Sequence, residues 1–251
     1  MTLELKTSIK NKIAKICFYN EQKNSFTTKQ LDELVKTLNE LNKNPEVTII
    51  ILENFGNSVF CSGASFDELL KIENELQGEA FFSGFAKVIL SMKNSSKLII
   101  GHVKGKAVGG GVGLIAACDI ALATKKSSIK LSEIAIGIGP FVIEPVVTKK
   151  IGKTAMTELT LNPTDWMDAN WALSKGLYTK IFENEIDLES YLMAYCNQLS
   201  QYNNEALLEI KKIIWEDTAH WENLLFERAK ISGKLVLSNF TKNTLKQFKK
   251  I

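Results

Sequence analysis

Hydrophobic positions along this chain switch between a strand-like and a helix-like period, and the switching predicts an α/β fold. Ile13 to Tyr19 alternates loosely, as a strand does. The polar stretch NEQKNSFT breaks it, after which Leu31, Leu34, Val35, Leu38 and Leu41 recur at helical spacing. That recurrence predicts an amphipathic helix over Thr28 to Lys43. Asn44-Pro45 ends it, and the β-branched run VTIIIL predicts a strand buried on both faces. The cycle then repeats. CSGASFDELL turns into a helix, a longer helical region runs to about Met92, and Lys97 to Val103 reads as a second buried strand. A glycine-rich turn leads to a helix through Ala116 and Ala117, then to a strand over Asp119 to Thr124. Strands alternating with helices define an α/β class.

From Thr154 onward the pattern is helix-rich, with breaks expected at Asn162-Pro163, Gly176 and Gly233. Leu207, Ile210, Ile213 and Ile214 form one apolar stripe, and Leu224, Leu225, Ala229 and Ile231 form a less regular partner. Two readings stand side by side: these faces pack on another subunit, or they close the core of their own chain. The 251 residues are enough for a sizeable core. Net charge is only +3, and Arg228 is the sole arginine. A nucleic-acid protein concentrates its basic residues, so that class is not expected. The basic tail Lys242 to Lys250 reads as a solvated helix face.

Four scattered cysteines (Cys17, Cys61, Cys118, Cys196) show no CxxC pairing, which speaks against a disulfide framework or a structural metal. MTLELKTSIK lacks the apolar core of a signal peptide, and Val47 to Leu52 is too short to span a bilayer. A soluble, cytoplasmic protein without membrane attachment is expected.

The strongest chemical signal is Gly105-Lys106-Ala107-Val108-Gly109-Gly110-Gly111-Val112-Gly113, between a buried strand and a helix. Consecutive glycines remove every Cβ, so a ligand can approach the backbone. The helix that starts there directs unpaired N–H groups and its positive dipole end towards an anion or a developing oxyanion. About 45 residues upstream, Phe60-Cys61-Ser62-Gly63-Ala64-Ser65-Phe66-Asp67-Glu68-Leu69 makes a second strand-to-helix junction of small residues.

These two junctions resemble those of the crotonase family, which includes enoyl-CoA hydratases and isomerases. NEQKNSF (Asn20 to Phe26), Cys118-Asp119-Ile120-Ala121 and Thr164 to Tyr178 resemble further family segments in the right order. The resemblance implies a spiral core of repeated ββα turns over residues 1–195, then a helical trimerisation region over 196–251. It also implies a trimer or a dimer of trimers, an acyl-CoA thioester substrate and no separate cofactor. The amides of Ala64 and Gly110 would form an oxyanion hole for a thioester enolate. Lys23, Ser25, Ser62, Gly63, Phe66, Gly109 and Gly113 would contact the substrate, Lys23 through a coenzyme-A phosphate.

Hydratases of the family carry two glutamates, and this chain holds Gly113 in place of one of them. Ser132-Glu133-Ile134-Ala135-Ile136-Gly137 matches the segment that supplies the other, which transfers the acid–base role to Glu133. One carboxylate suits a proton shuttle of the isomerase kind; hydration remains open if other groups orient water. Gly139-Pro140-Phe141-Val142-Ile143-Glu144-Pro145 replaces a glycine-rich stretch that lines the acyl pocket. Phe141 and Val142 are expected as its wall, and Glu144 as a lesser acid–base candidate. The same segment resembles methylglutaconyl-CoA hydratases, which belong to leucine breakdown. A decarboxylase or hydrolase on the same scaffold, polyketide-type members included, is the alternative, as is an acyl-CoA-binding protein with a degenerate site. His102 is expected as a strand residue beside the site, without a metal or triad partner.

Overall fold

The computed structural model describes residues 4–56 and 59–248; Met1 to Leu3 of the N-terminal stretch and Lys249 and Lys250 of the basic tail lie outside them. In chain order the elements are β1 (Glu4–Lys10), β2 (Ile13–Tyr19), α1 (Thr28–Lys43), β3 (Ile49–Asn54), β4 (Val59–Cys61), α2 (Phe66–Leu69), α3 (Glu75–Lys93), β5 (Leu98–Val103), β6 (Lys106–Val108), α4 (Gly110–Ala117), β7 (Ile120–Thr124) and β8 (Ser128–Lys130). A 3₁₀ turn (Glu133–Ile136) follows, then α5 (Glu144–Leu161), β9 (Met167–Asp168), α6 (Ala169–Ser174), β10 (Lys180–Phe182), α7 (Glu185–Leu199), α8 (Asn204–Trp215), α9 (Trp221–Leu235) and α10 (Asn239–Phe248).

The strands form a large sheet in the order β1-β2-β3-β5-β7-β10 and a small one in the order β4-β6-β8-β9. Within the large sheet only β1 and β2 pair antiparallel. Each pass of the chain therefore gives one strand to each sheet and then a helix: β3, β4 and α3; β5, β6 and α4; β7 and β8. This is the expected ββα spiral.

The unbroken run in β3 has a direct cause, because both its faces are covered. Ile50 and Leu52 enter the main core with α1, α3 and α4, whereas Ile49 and Ile51 face Leu188, Leu192 and Cys196 of α7. Helix α1 begins and ends where its period predicted. Thr27 caps it, accepting from the Gln30 N–H while the Gln30 side chain accepts from the Thr27 N–H.

The C-terminal helices fold back on their own chain. Gly233 does not break a helix as expected; it lies inside α9 and crosses Gly78 of α3. A Cβ on Gly78 would stand 2.6 Å from the Gly233 Cα, so the two backbones touch where a side chain would hold them apart. Gly233→Ala should destabilise by about 1–3 kcal/mol through this overpacking. A lower urea midpoint at unchanged m-value would show it. Phe240 and Thr241 of α10 pack over Gly137. The 195/196 boundary falls inside α7, which runs unbroken to Leu199. Leu225 and Ala229 of α9 are buried within the chain, while Ile210, Ile213 and Ile214 of α8 are exposed. No helix among the described residues is long and apolar enough to cross a membrane.

Candidate active site

The small sheet explains why segments far apart in sequence meet. Its strands β4, β6 and β8 run parallel and adjacent, so their C-terminal ends emerge side by side. Ligands bind at such ends in α/β sheets, where loops and helix N-termini face a common crevice. From β4 emerge Ser62, Gly63 and Ala64; from β6, Gly109 and Gly110; from β8, Ser132 and Glu133. All of them line one cavity of about 150 Å³.

Backbone conformation brings the first two junctions together. Gly63 and Gly109 adopt φ of 88° and 53°, which side chains rarely tolerate. A Cβ on Gly63 would lie 3.0 Å from the Val108 oxygen and 3.4 Å from the Gly110 nitrogen. The first junction is stitched to the 20–26 loop: the Phe26 N–H donates to the Gly63 oxygen at 2.8 Å, and the Ser65 N–H to the Phe26 oxygen at 2.7 Å. These bonds leave the Ala64 N–H without a backbone acceptor among the described residues. Gly110 opens α4, so its N–H has no earlier turn to bond. Two uncommitted amides thus border the same cavity. Cys61 supports the turn by accepting the Gly63 N–H on Sγ at 3.3 Å, and burial pushes its thiol up to about 12, so it stays protonated.

Glu133 faces this pair. Its Oε1 lies 2.6 Å from the point a Gly109 Cβ would occupy, so the carboxyl reaches the cavity only because residue 109 is glycine. Its Oε2 is buried and has no hydrogen-bond partner among the described residues. Burial pushes the carboxyl up to about 7, against a smaller opposing pull from backbone amides at Ser132 and Glu133. A carboxyl with that value exchanges protons near neutrality, as a general acid–base must.

Of the other expected site residues, Phe66, Phe141 and Val142 line the cavity. Four do not. Lys23 is exposed on the loop beside the mouth, where its oxygen accepts the Ser62 N–H at 3.2 Å. Ser25 is buried inside that loop, its oxygen accepting from the Asn20 side chain. Glu144 turns away: Oε1 accepts from Thr148 at 2.7 Å and Oε2 lies 4.0 Å from Arg228, tying α5 to α9. Gly113 is covered by Ile143, whose Cγ2 is 2.5 Å from the position of a Cβ there. The volume a second carboxylate would need is filled with hydrocarbon. Gly113→Ala should therefore cost about 1–3 kcal/mol of stability by overpacking, and in an Ile143→Ala background the same change should cost less, as a thermal-denaturation double-mutant cycle would show.

Residues that sequence reasoning missed complete the wall. Phe81, Phe82 and Phe85 of α3 line it with Ile136, Ile138, Ile143 and Ser232. Their signal was the helical spacing Gly78, Phe81, Phe82, Phe85, which puts a glycine and aromatic rings on one face. His102 is a strand residue as expected but lies away from the cavity and is not alone. Its Nδ1 is 2.7 Å from Glu53 and 3.5 Å from Glu189, which also accepts from Lys15 at 2.8 Å. That ammonium offsets one of the two carboxylates. The histidine also helps hold the Glu53 carboxyl below its ordinary range, although burial acts in the opposite direction as the largest single influence.

A ββα spiral with a cavity at the ends of its small sheet is the architecture of the crotonase superfamily. Within that class the chain belongs to the enoyl-CoA hydratase/isomerase family, whose model matches residues 8–247. The chain is 25% identical over 209 residues to the bacillaene synthase dehydratase PksH of Bacillus subtilis (strain 168), covering 80% of this chain and 77% of that one. It is 29% identical over 161 residues to a short-chain-enoyl-CoA hydratase of Clostridium acetobutylicum, covering 64% and 60%. A solved enoyl-CoA hydratase from Bacillus halodurans shares the fold at TM-score 0.90 and 20% identity, over 97% of this chain and 99% of that one.

Proposed function

We propose that the protein is an enzyme of the enoyl-CoA hydratase/isomerase type that moves a proton on an acyl-CoA thioester. The Ala64 and Gly110 N–H groups donate to the thioester oxygen, and Glu133 is the single acid–base. Charge that develops on that oxygen when the α-proton leaves is stabilised by donors already in place, each worth roughly 3 kcal/mol. Glu133 takes the proton and returns it at another carbon of the same dienolate, which shifts the double bond. The observation that carries this reading is the buried Glu133 carboxyl with its unpaired Oε2, the sole carboxylate lining the cavity among the described residues, beside two uncommitted amides. Ile143 over Gly113 supports isomerisation rather than hydration, because it fills the place of a second carboxylate.

The dehydratase named among the relatives supports a second reading, loss of water from a 3-hydroxyacyl thioester. It begins with the same α-proton transfer. Exchange of the α-protons of butyryl-CoA in deuterated water, followed by NMR, tests the shared step. Exchange that continues unchanged in Glu133→Gln would remove the proposed base. Turnover of a 3-enoyl-CoA, a 2-enoyl-CoA and a 3-hydroxyacyl-CoA then separates the two readings. We place the enzyme in the cytoplasm as a trimer or dimer of trimers, with the exposed Ile210, Ile213 and Ile214 face as the supporting feature for assembly.

A further inference from the structure

The cavity wall is apolar except for the catalytic corner and one group about two turns of α3 away from it: Phe85 lies over Gly110, whereas Gly78 meets Gly233, the neighbour of Ser232. Ser232, on α9, is 1% exposed and lines the cavity, and its Oγ has no hydrogen-bond partner among the described residues. A serine inside a helix ordinarily bonds the carbonyl one turn back; this one does not. Its position is fixed, because the adjacent Gly233 crosses Gly78 backbone to backbone and presses this stretch of α9 against the aromatic face of α3. Buried hydroxyls are rarely left unmatched, since desolvation without a partner is costly. The cavity-lining side chains of α3, Phe81, Phe82 and Phe85, and that of Ile138 offer no acceptor.

No lysine, arginine or histidine lines the cavity among the described residues. A free carboxylate on the acyl group would be buried there without a counter-charge, which argues against a methylglutaconyl substrate. A neutral hydroxyl or carbonyl has no such penalty and can exchange a hydrogen bond with Ser232.

We propose that Ser232 is a specificity-determining residue and that the substrate is a short, neutral acyl thioester with a hydroxyl or carbonyl group on its distal part. The inference rests on the thioester site proposed above and deepens it. Binding alone tests it, so turnover is not required. In Glu133→Gln protein, calorimetry would compare butyryl-, pentanoyl- and hexanoyl-CoA, each plain and with a terminal hydroxyl. One hydroxylated ligand of the set should bind about 3- to 10-fold tighter than its plain counterpart, the worth of one neutral hydrogen bond. Ser232→Ala should erase that preference while leaving plain-chain affinity within about 2-fold. Equal affinity for plain and hydroxylated chains, or a preference that survives Ser232→Ala, would overturn the proposal. If no coenzyme-A ester binds at all, the thioester reading itself falls, an outcome distinct from loss of the preference.

Discussion

Replacing Glu133 by Gln should lower kcat by roughly 10² to 10⁴, the usual contribution of a general acid–base, with little change in KM. The amide keeps the shape of the side chain and cannot accept the α-proton. Because the group must be ionised to act as a base, kcat/KM of the unmodified enzyme should rise with pH and level off above about 7, the value to which burial pushes this carboxyl. Stopped-time assays with a 3-enoyl-CoA from acid to alkaline pH would trace the curve. A flat profile through neutrality would mean that Glu133 is not the group being titrated.

The same carboxyl makes a second, opposite prediction for stability. Its folded value of about 7 exceeds its ordinary 4.5, so the folded state binds more protons than the unfolded state between those limits. Stability from this group is therefore greatest at low pH and falls as pH rises from 4.5 to about 7. Glu133→Gln carries no such charge. Relative to the parent it should be no more stable near pH 4, and should gain roughly 3 kcal/mol by pH 8. A variant that is less active yet more stable is the mark of a group kept for chemistry at a cost to the fold. A merely structural glutamate would give the reverse.

Periodicity made the spiral legible, because each strand and helix buries a face that its own residues define. Helix α1 ends where its apolar stripe ends, and the run VTIIIL is two-sided because helices cover both faces of β3. The junctions at Ala64 and Gly110 were legible for a different reason: close backbone approach requires small residues, and small residues stand out. What could not be read is whatever depends on helix crossings. Gly233 looked like a break because glycine disfavours helices, and only its meeting with Gly78 shows why it is tolerated. That crossing also brings Ser232 and the aromatic face of α3 to the cavity. Glu144 sits in the right segment, but Thr148 one turn on and Arg228 on α9 hold it elsewhere. His102 looked isolated because Glu53 and Glu189 reach it only through sheet pairing and the packing of α7.

The C-D-I segment that helped to identify the family owes its acid to stability, and Asp119 should prove the most sensitive structural residue outside the cavity. Its Oδ2 accepts from the Ile99 N–H at 2.8 Å and from the Lys211 ammonium at 2.9 Å, and its Oδ1 from the Trp215 indole at 3.0 Å. Lys211 is 3% exposed and also donates to the Met92 and Lys97 oxygens, so one buried pair joins α8 to the ends of α3 and β5. Burial pulls the Lys211 ammonium below its ordinary value, and the facing carboxylate acts to hold it charged. Asp119→Ala removes that carboxylate and strands a buried cation, an indole N–H and a strand amide together. Breaking one side of a buried pair costs about 3–5 kcal/mol, and in a chain of this size that corresponds to a fall in Tm of about 10 °C. Asp119→Asn keeps acceptors for the amide and the indole, so it should lose less. Lys211→Met combined with Asp119→Leu should recover part of the loss, because two matched apolar groups avoid burying an unpaired charge. If Asp119→Ala melts within about 2 °C of the parent, the network is not what fastens α8 to the spiral.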